Sequence, residues 1–498
     1  MVYNDLNLSK SAVVTQVQEL DRMFHPTSIA VIGASKNETA GGGLLLKGII
    51  TNGFAGRLYP VNPNETEIMG LRSYRNILDI PDEVDVAIIA VSAHVVTHVM
   101  GECSRKRVKF AVVHSVGFSE LGNEGHLRQE EMLSVARQGG VRVLGPNCMG
   151  LFCPESGINT VVSRLVFKKE AGTVALVAQS GWVSENFILT GHECGLRYSK
   201  VVSIGNQSDL TIEDFLAYLA DDAGTKVIAF YIEGLKRARE FFELAKQISK
   251  KKPIIVWKGG RSEVGVRAAA SHTASLAGNK AIFDAALAQA GATPARCLDE
   301  LIDLAIGFTS PLLPRGSRVG LLVEAGGGGV AAADAAESLG LQIPTLSSEA
   351  QREIEDELKG VVPPFSTPSN PVDLVWVPVS NKVQPFVQCA RIVAREVDAI
   401  IMLSYGVYDE LAVRGLVALR EEIGKPVFLI PGHVVESREG MSLLTKNGIP
   451  SFTTPERAAK VLAAMVGYTN HLNRNGDRKS SEKEIGALTK DCYDREKE

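Results

Sequence analysis

Little in this sequence points to metal, disulfide, membrane or nucleic-acid chemistry. Its seven cysteines form no C-x-x-C pair, and an odd number scattered over so long a chain argues against a disulfide framework. Its nine histidines include no H-E-x-x-H and no pair at ligand spacing, so no metal site is read. The longest apolar stretches, such as Val84 to Val91, fall far short of the ~18 to 20 residues that cross a bilayer. The opening MVYNDLNLSK carries no apolar signal core. No membrane partner is expected, and the cytoplasm is the expected location. Lys plus Arg number 53 and Asp plus Glu 57, a formal charge of −4, with neither sign gathered into a block that could track a polyanion. Nucleic acid is therefore not an expected partner.

Aromatic residues are also sparse, at 6% with three tryptophans, whereas glycines number 47. That balance suggests many tight strand-to-helix turns. A hydrophobic fraction of 45% against 22% charged residues is that of an ordinary globular chain. Its 498 residues suggest about three domains.

Short β-branched runs alternate with amphipathic segments along nearly the whole length, the pattern of βαβ units and parallel sheets. The first series of strands is expected at Ser28 to Ile32, Arg57 to Val61, Val84 to Val91, Phe110 to His114 and Val141 to Leu144. A linker-like stretch, Leu151 to Gly172, precedes a second series at Thr173 to Ala178, Tyr198 to Ser203, Val227 to Ile232 and Pro253 to Lys258. The segment Ser310-Pro311-Leu312-Leu313-Pro314-Arg315-Gly316 reads as a further boundary. A third series comes after it, with strands at Arg318 to Val323, Ala399 to Ser404 and Pro426 to Ile430. Its last helix opens at Thr454-Pro455-Glu456, an N-cap followed by proline at the first helical position. The fold expected is α/β, with three successive parallel-sheet modules at residues 20–150, 165–310 and 316–467 and a polar tail at 471–498.

Four segments carry chemistry. The first strand ends Ile32-Gly33-Ala34-Ser35, where a glycine lets a phosphate-bearing ligand approach the backbone and the next helix N-terminus. The full G-x-G-x-x-G is absent, and the second strand ends Val61-Asn62-Pro63 where a dinucleotide site would want a carboxylate. NAD is disfavoured, while another nucleotide such as CoA stays open beside a plain structural turn. The second module opens with an apolar strand turning through Gln179-Ser180-Gly181-Trp182, which would aim amides, a hydroxyl and a helix dipole at an anion. Ala178 and Trp182 stand at both glycine positions of G-x-S-x-G, against a serine nucleophile elbow. The third module repeats the device with Gly326 to Gly329, whose entropy cost favours a backbone cradle for phosphate or carboxylate. Finally, His272 sits among very small residues, which suits a nucleophile that accepts and hands on a group. The strand Ala229 to Ile232 ends at Glu233-Gly234, placing a carboxylate that could fix an imidazole tautomer at the same sheet edge.

Together these segments resemble the NDP-forming acyl-CoA synthetase superfamily, specifically the α subunit of ADP-forming acetate–CoA ligase, a relative of succinyl-CoA synthetase. The likeness runs from about Leu20 to Gly467. It is carried by Ala269-Ala270-Ser271-His272-Thr273 with Ser275-Leu276-Ala277-Gly278, and by Gly145-Pro146-Asn147-Cys148-Met149-Gly150. Val202-Ser203-Ile204-Gly205-Asn206 with Asp209, and Asn370-Pro371-Val372-Asp373-Leu374, complete it. The resemblance implies a Rossmann-like CoA-binding domain followed by two flavodoxin-like domains of the succinyl-CoA synthetase type. It implies CoA binding through Gly33, Ala34 and Ser35, through Val61, Asn62 and Pro63, through Val91, Ser92, Gly117 and Phe118, and near Asn147 and Cys148. It implies His272 as the phosphorylated histidine and Glu233 as its orienting carboxylate. Ser180 and Gly181, with Gly327, Gly328 and Gly329, would hold phosphate at two helix N-termini.

The implied reaction is acyl-CoA plus phosphate giving acyl phosphate and CoA, then phosphoryl transfer to His272 and on to ADP, each step reversible. None of the three modules has the character of an ATP-grasp domain, so Mg-ADP or Mg-ATP is expected on a separate β subunit. Two rival readings make different predictions: a CoA-binding regulatory protein without phosphate on His272, and an acyl- or carbamoyl-transfer relative that turns over without nucleotide. Trp182 stands where relatives usually carry a small residue, and Trp376 follows the Asn-Pro-Val-Asp-Leu motif. These departures point either to an acyl pocket reshaped for an acid other than acetate, such as an aromatic or longer one, or to two rings packed in a core.

Overall fold

A computed structural model describes residues 19–162, 164–167, 170–267, 280–361, 366–375, 383–406, 408–434 and 436–474. They form two compact units. One holds the chain up to Ile302 apart from Glu193–Gly195; the other holds those three residues and the chain from Asp303 onward.

The first unit contains two large sheets and a small antiparallel hairpin, Glu67–Ile68 with Leu71–Arg72. In the first, β1 (Ser28–Ile32), β2 (Arg57–Val61), β3 (Val86–Ile89), β4 (Phe110–Val113) and β5 (Arg142–Leu144) lie in the order β2-β1-β3-β4-β5. All neighbours are parallel. Every residue of β1, β3 and β4 is buried, as expected of parallel strands covered on both faces. Alternate side chains serve two cores: Ile29 and Val31 pack with Leu45, Leu46 and Phe24, while Ala30 and Ile32 pack with Ile89, Val96 and Met100. Each such aliphatic side chain contributes roughly 1.5–3 kcal/mol on burial.

The second sheet corrects the sequence reading. Leu151 to Gly172 is not only a linker: it supplies most of β6 (Gly150–Cys153) and all of β7 (Ile158–Asn159). With β8 (Val174–Ala178), β9 (Tyr198–Ser203), β10 (Val227–Ile232), β11 (Ile254–Lys258) and β12 (Thr293–Ala295) they form a seven-stranded sheet ordered β12-β11-β10-β8-β9-β6-β7. The β6 strand runs antiparallel to β9 and β7 antiparallel to β6, so this module is mixed rather than purely parallel. The four residues of β6 are all buried, too short a run to show a period. Gly145, Asn147 and Gly150 all take positive φ, at +97°, +57° and +86°, along the turn by which the chain passes from the first sheet into the second. The two sheets also share one apolar core, in which Phe24 stacks on Tyr218 with ring centroids 5.1 Å apart and meets Phe215 edge-on.

The second unit is built on β13 (Val319–Val323), β14 (Val372–Asp373), β15 (Ala399–Ser404) and β16 (Val427–Pro431), ordered β14-β13-β15-β16 and all parallel. The Asn370 carboxamide bridges this sheet, donating to the carbonyls of Val319 (2.9 Å) and Pro344 (3.1 Å) and accepting from the Leu321 amide (2.9 Å). The last helix covers 455–474, and the Arg457 amide donates to the Thr454 hydroxyl at 3.4 Å. Arg457 also pairs with the buried Asp303 at 2.6 Å. Among the described residues no helix is long and apolar enough to cross a membrane, and no three His, Cys, Asp or Glu side chains gather as a metal site would require.

Candidate functional site

In open parallel sheets, ligands lodge outside the carboxyl ends of the strands where the winding reverses. In the first sheet that point lies between β1 and β3. Gly33 occupies it at φ +88°, and a Cβ there would stand 2.4 Å from the Ala90 carbonyl and 2.9 Å from Val91. Only glycine fits. The turn is tied to β2 by Asn62, whose carboxamide donates to the Ala34 carbonyl at 2.7 Å, and by the Gly33 amide bonding to the Val61 carbonyl at 3.0 Å. The sequence reading passed over a second glycine cluster, Gly41 to Gly43, which opens α1 (Gly41–Thr51). A Cβ on Gly42 would stand 2.3 Å from the Gly33 carbonyl, and one on Gly43 2.1 Å from that of Asn37. These glycines let the helix N-terminus settle onto the turn, the service that G-x-G-x-x-G renders at another spacing.

Gly117 and Phe118 come shortly after β4. Both amides donate to the Glu120 carboxylate, at 2.6 and 3.0 Å, and Arg128 caps the Gly117 carbonyl. Phe118 itself is fully buried, so a ligand could meet that turn at Gly117 rather than at the ring. Burial works to raise the Glu120 carboxyl, but hydrogen bonds from Asn206, Phe118 and Gly117 outweigh it and hold the group below the ordinary carboxylate range.

Two motifs far apart in sequence interlock here. Asn147 takes φ +57° and its amide donates to the Ser115 carbonyl at 3.0 Å. Gly205, at φ +61°, lies so close that a Cβ would stand 2.3 Å from the Pro146 carbonyl and 2.4 Å from that of Asn147. The Asn206 amide donates to the Pro146 carbonyl at 3.0 Å, and its carboxamide reaches Glu120 at 2.6 Å, Ser119 at 3.1 Å and Gln129 at 3.2 Å. Asp209 in turn accepts from Arg142 at 2.9 Å and the Val143 amide at 2.8 Å. Cys148 is buried with its thiol directed at the Val113 carbonyl, 3.4 Å away, and burial pushes its pKa up to about 12. It stays a neutral thiol at physiological pH.

The second sheet reverses at β8. Gln179 comes directly after that strand, and its carboxamide oxygen accepts from the amides of Glu233 (2.5 Å) and Gly234 (2.9 Å) at the end of β10. These bonds hold the Glu233 backbone beside the Gln179-Ser180-Gly181 turn. Glu233 is buried, and Tyr231 donates to its carboxylate at 3.2 Å. The buried Lys258 ammonium bonds the Glu233 carbonyl at 2.9 Å, and burial lowers its pKa. Ser180 precedes α4 (Gly181–Glu193) and its hydroxyl accepts from the Val183 amide at 3.4 Å. A helix's first amides have no partner within the helix, so those of Gly181 and Trp182 are the natural anion donors.

A cleft of about 240 Å³ opens between these turns. Asn147, Cys148 and Met149 line one side, Gln179, Ser180, Gly181 and Trp182 another, and Gly205, Asn206, His114 and Val116 close it. His114 is a residue sequence reasoning missed: it comes directly after β4, at the same sheet edge as Gly33, and burial lowers its pKa and keeps it neutral. The cue for it was its place, a histidine at the end of an apolar strand. Trp182 is 60% exposed, which removes a core role for that ring.

The second unit repeats the device. Glu324 comes directly after β13, and its buried carboxylate accepts from the Ser404 hydroxyl (2.8 Å) and the Tyr405 amide (2.6 Å) at the end of β15. One point is corrected: Gly326 to Gly329 are not a loop between strand and helix but the first turn of a helix, Gly326–Ser338. A Cβ on Gly327 would meet nothing within 4 Å, whereas one on Gly328 would stand 2.6 Å from the Leu403 side chain, so only part of this glycine run is required by packing. The segment bearing His272, and Trp376, lie outside the described residues.

Residues 27–154 match the CoA binding domain family, and residues 171–308 match the succinyl-CoA ligase like flavodoxin domain family. The fold and these turns thus define an α/β protein of the CoA-ligase class. The α subunit of acetate–CoA ligase (ADP-forming) II from Pyrococcus furiosus is 37% identical over 91% of this chain and 98% of that subunit. The longer acetate–CoA ligase (ADP-forming) of Methanocaldococcus jannaschii is 35% identical, and this chain covers 63% of it. Among solved structures, the acetyl-coenzyme A synthetase 1 of Ca. Korarchaeum cryptofilum in complex with phosphate and ADP superposes with a TM-score of 0.79, at 33% identity over 92% of this chain and 98% of that one. The chain belongs to the α-subunit family of ADP-forming acetate–CoA ligases, and so to the acid–CoA ligases.

Proposed function

We propose that this chain is the CoA- and phosphate-handling subunit of an ADP-forming acyl-CoA ligase in the cytoplasm, interconverting acyl-CoA, ADP and phosphate with a carboxylic acid, CoA and ATP. The observation that carries the reading is the cleft in which the Asn147–Cys148 turn faces the opening of α4. CoA is held by Gly33, Ala34 and Ser35, the Val61-Asn62-Pro63 turn, Val91, Ser92 and Gly117, with Phe118 anchoring that last turn from within the core and the CoA thiol toward Asn147 and Cys148. The absent Cβ atoms of Gly33, Gly42 and Gly43 leave the backbone open to such a group.

Phosphate is held by Ser180 and Gly181, where a helix N-terminus favours an anion by about 0.3–1 kcal/mol in exposed geometry and up to ~2 kcal/mol when partly buried, and Gly327, Gly328 and Gly329 open a second anion-binding helix end within the other unit. A phosphate oxygen attacks the thioester carbonyl, the carbon–sulfur bond breaks, and CoA leaves with a proton given up by the phosphate. An imidazole nitrogen of His272 then attacks the phosphorus of the acyl phosphate, and the carboxylate departs. Glu233 accepts a hydrogen bond from the other ring nitrogen and so fixes the tautomer. The phosphoryl group passes from His272 to a terminal oxygen of ADP, regenerating the imidazole. Dividing the reaction this way replaces one difficult transfer by easier ones.

Mg-ADP is held by a separate ATP-grasp β subunit; the matching of α subunits, and of about two thirds of a longer single chain, supports that partner. Phosphopeptide mass analysis under alkaline conditions, after incubation with acetyl phosphate, tests the reading. Phosphate on the peptide containing His272, absent in His272→Ala, is expected. An unphosphorylated chain that still binds CoA would favour the regulatory-protein alternative.

A further inference from the structure

We propose that His114 is a catalytic residue of the thioester step, its imidazole taking the proton that the attacking phosphate gives up and passing it to the departing CoA sulfur. The proposal rests on the ligase reading above, which sets the CoA thiol toward Asn147 and Cys148 and the phosphate against Ser180 and Gly181. His114 lines the same cleft as all four of those residues.

Its place is tightly fixed. The His114 amide donates to the Ile89 carbonyl at 3.0 Å. The residues on either side of it both hold the Asn147–Cys148 turn: the Val113 carbonyl faces the Cys148 thiol at 3.4 Å, and the Ser115 carbonyl accepts from the Asn147 amide at 3.0 Å. The imidazole thus enters the cleft beside the turn at which the thiol is expected. It is half-buried, and among the described residues no charge or hydrogen bond acts on the ring; burial alone lowers its pKa. His25 in the same unit is different, lying between Asp21 (3.2 Å) and Glu155 (3.4 Å). A neutral imidazole has one nitrogen that accepts a proton and one that donates, and here both are left to a ligand.

Among the described residues lining the cleft, no other side chain exchanges protons near neutrality. Cys148, the one other titratable group in the lining, loses its proton only near 12. The Gln179 carboxamide is engaged by the Glu233 and Gly234 amides and that of Asn206 by Glu120. The step balances. A phosphate oxygen bonds to the acyl carbon and its proton moves to an imidazole nitrogen; the carbon–sulfur bond breaks with its electron pair on sulfur, and the imidazolium protonates that thiolate. The ring ends neutral, as it began. In reverse it takes the thiol proton as sulfur attacks the acyl phosphate, which matters because the thiolate is the nucleophile and a free thiol titrates only near ~8.5.

Formation of acetyl-CoA from acetyl phosphate and CoA by the full chain, followed by thioester absorbance, tests this. His114→Ala and His114→Gln should slow it by about 10²- to 10⁴-fold, the usual range for a positioned proton carrier, with circular dichroism checking that both fold. Added free imidazole should restore part of the rate in the Ala variant, an effect that a purely structural role would not produce. The wild-type rate should fall as pH drops below about 6.5, since a protonated ring accepts no proton, and the variants should lack that acid limb. Phosphorylation of the chain by acetyl phosphate, in which no thiol takes part, is the control and should persist in both. A wild-type chain that neither binds CoA nor accepts phosphate defeats the ligase reading, and the His114 assignment with it. A phosphorylated, CoA-binding chain that forms no acetyl-CoA, or whose His114 variants keep the wild-type rate or the acid limb, defeats the His114 assignment alone.

Discussion

Replacing Asn206 by alanine should loosen the turn that joins the two sheets of the first unit. Its carboxamide nitrogen has three oxygen neighbours, on Glu120 (2.6 Å), Ser119 (3.1 Å) and Gln129 (3.2 Å), but only two hydrogens to give. Counting one bond to a carboxylate at ~1.5–3 kcal/mol and one neutral bond at ~0.5–1.5 kcal/mol gives a loss of about 2–4.5 kcal/mol. Glu120 is only half-buried and can recover some solvation, so the lower half of that range is expected. Urea unfolding followed by far-UV circular dichroism measures it. The carboxylate variant supplies the second arm. In Asn206→Asp a new carboxylate stands beside Glu120, and like charges raise a carboxyl's pKa. A folded pKa above the unfolded one means the folded state binds protons more tightly, so stability is regained as pH falls. The Asp variant should therefore be weaker than the Ala variant at pH 7.5 and approach it near pH 5. An Ala variant within ~0.5 kcal/mol of wild type, or an Asp variant indifferent to pH, would refute the reasoning.

Gly33→Ala should abolish CoA binding and destabilise the first unit by about 2–4 kcal/mol, combining a left-handed φ with a clash against the Ala90 carbonyl; calorimetry and urea midpoints check both effects. Cys148 should resist iodoacetamide at pH 8 in the folded chain, because its thiol titrates only near 12, while the exposed Cys297 reacts; peptide mapping reads the difference. In the wild-type chain the Glu120 carboxyl is held low, so its contribution is fully present above the unfolded pKa and disappears as pH falls through the folded one. Stability of the first unit should accordingly drop below about pH 4, and Glu120→Gln should flatten that acid limb.

The order of the strands along the chain was legible in the sequence, because buried parallel strands are near-continuous β-branched runs bounded by turn residues. Tyr198–Ser203, Val227–Ile232 and Ala399–Ser404 coincide with their expected limits. The glycine turn at Gly33 and the carboxylate at Glu233 were legible too, since each comes directly after its strand. A residue next to a strand end along the chain must also lie next to it in space.

Tertiary structure alone decided the rest. Gly150–Cys153 pairs with a strand some fifty residues on, and a four-residue run holds no sign of its partner. Gln179 meets Glu233 because β8 and β10 adjoin at a reversal of winding, whereas Asn206 meets Glu120 across the two sheets, through the turns that follow β9 and β4. His114 and Trp182, each just after a strand of a different sheet, likewise become neighbours of one cleft only through the packing of the two sheets. Local propensity and hydrophobic period, both written in the sequence, determine which residues end a strand; which strand ends share a crevice depends on long-range pairing, whose register is settled by the packing of all the layers together.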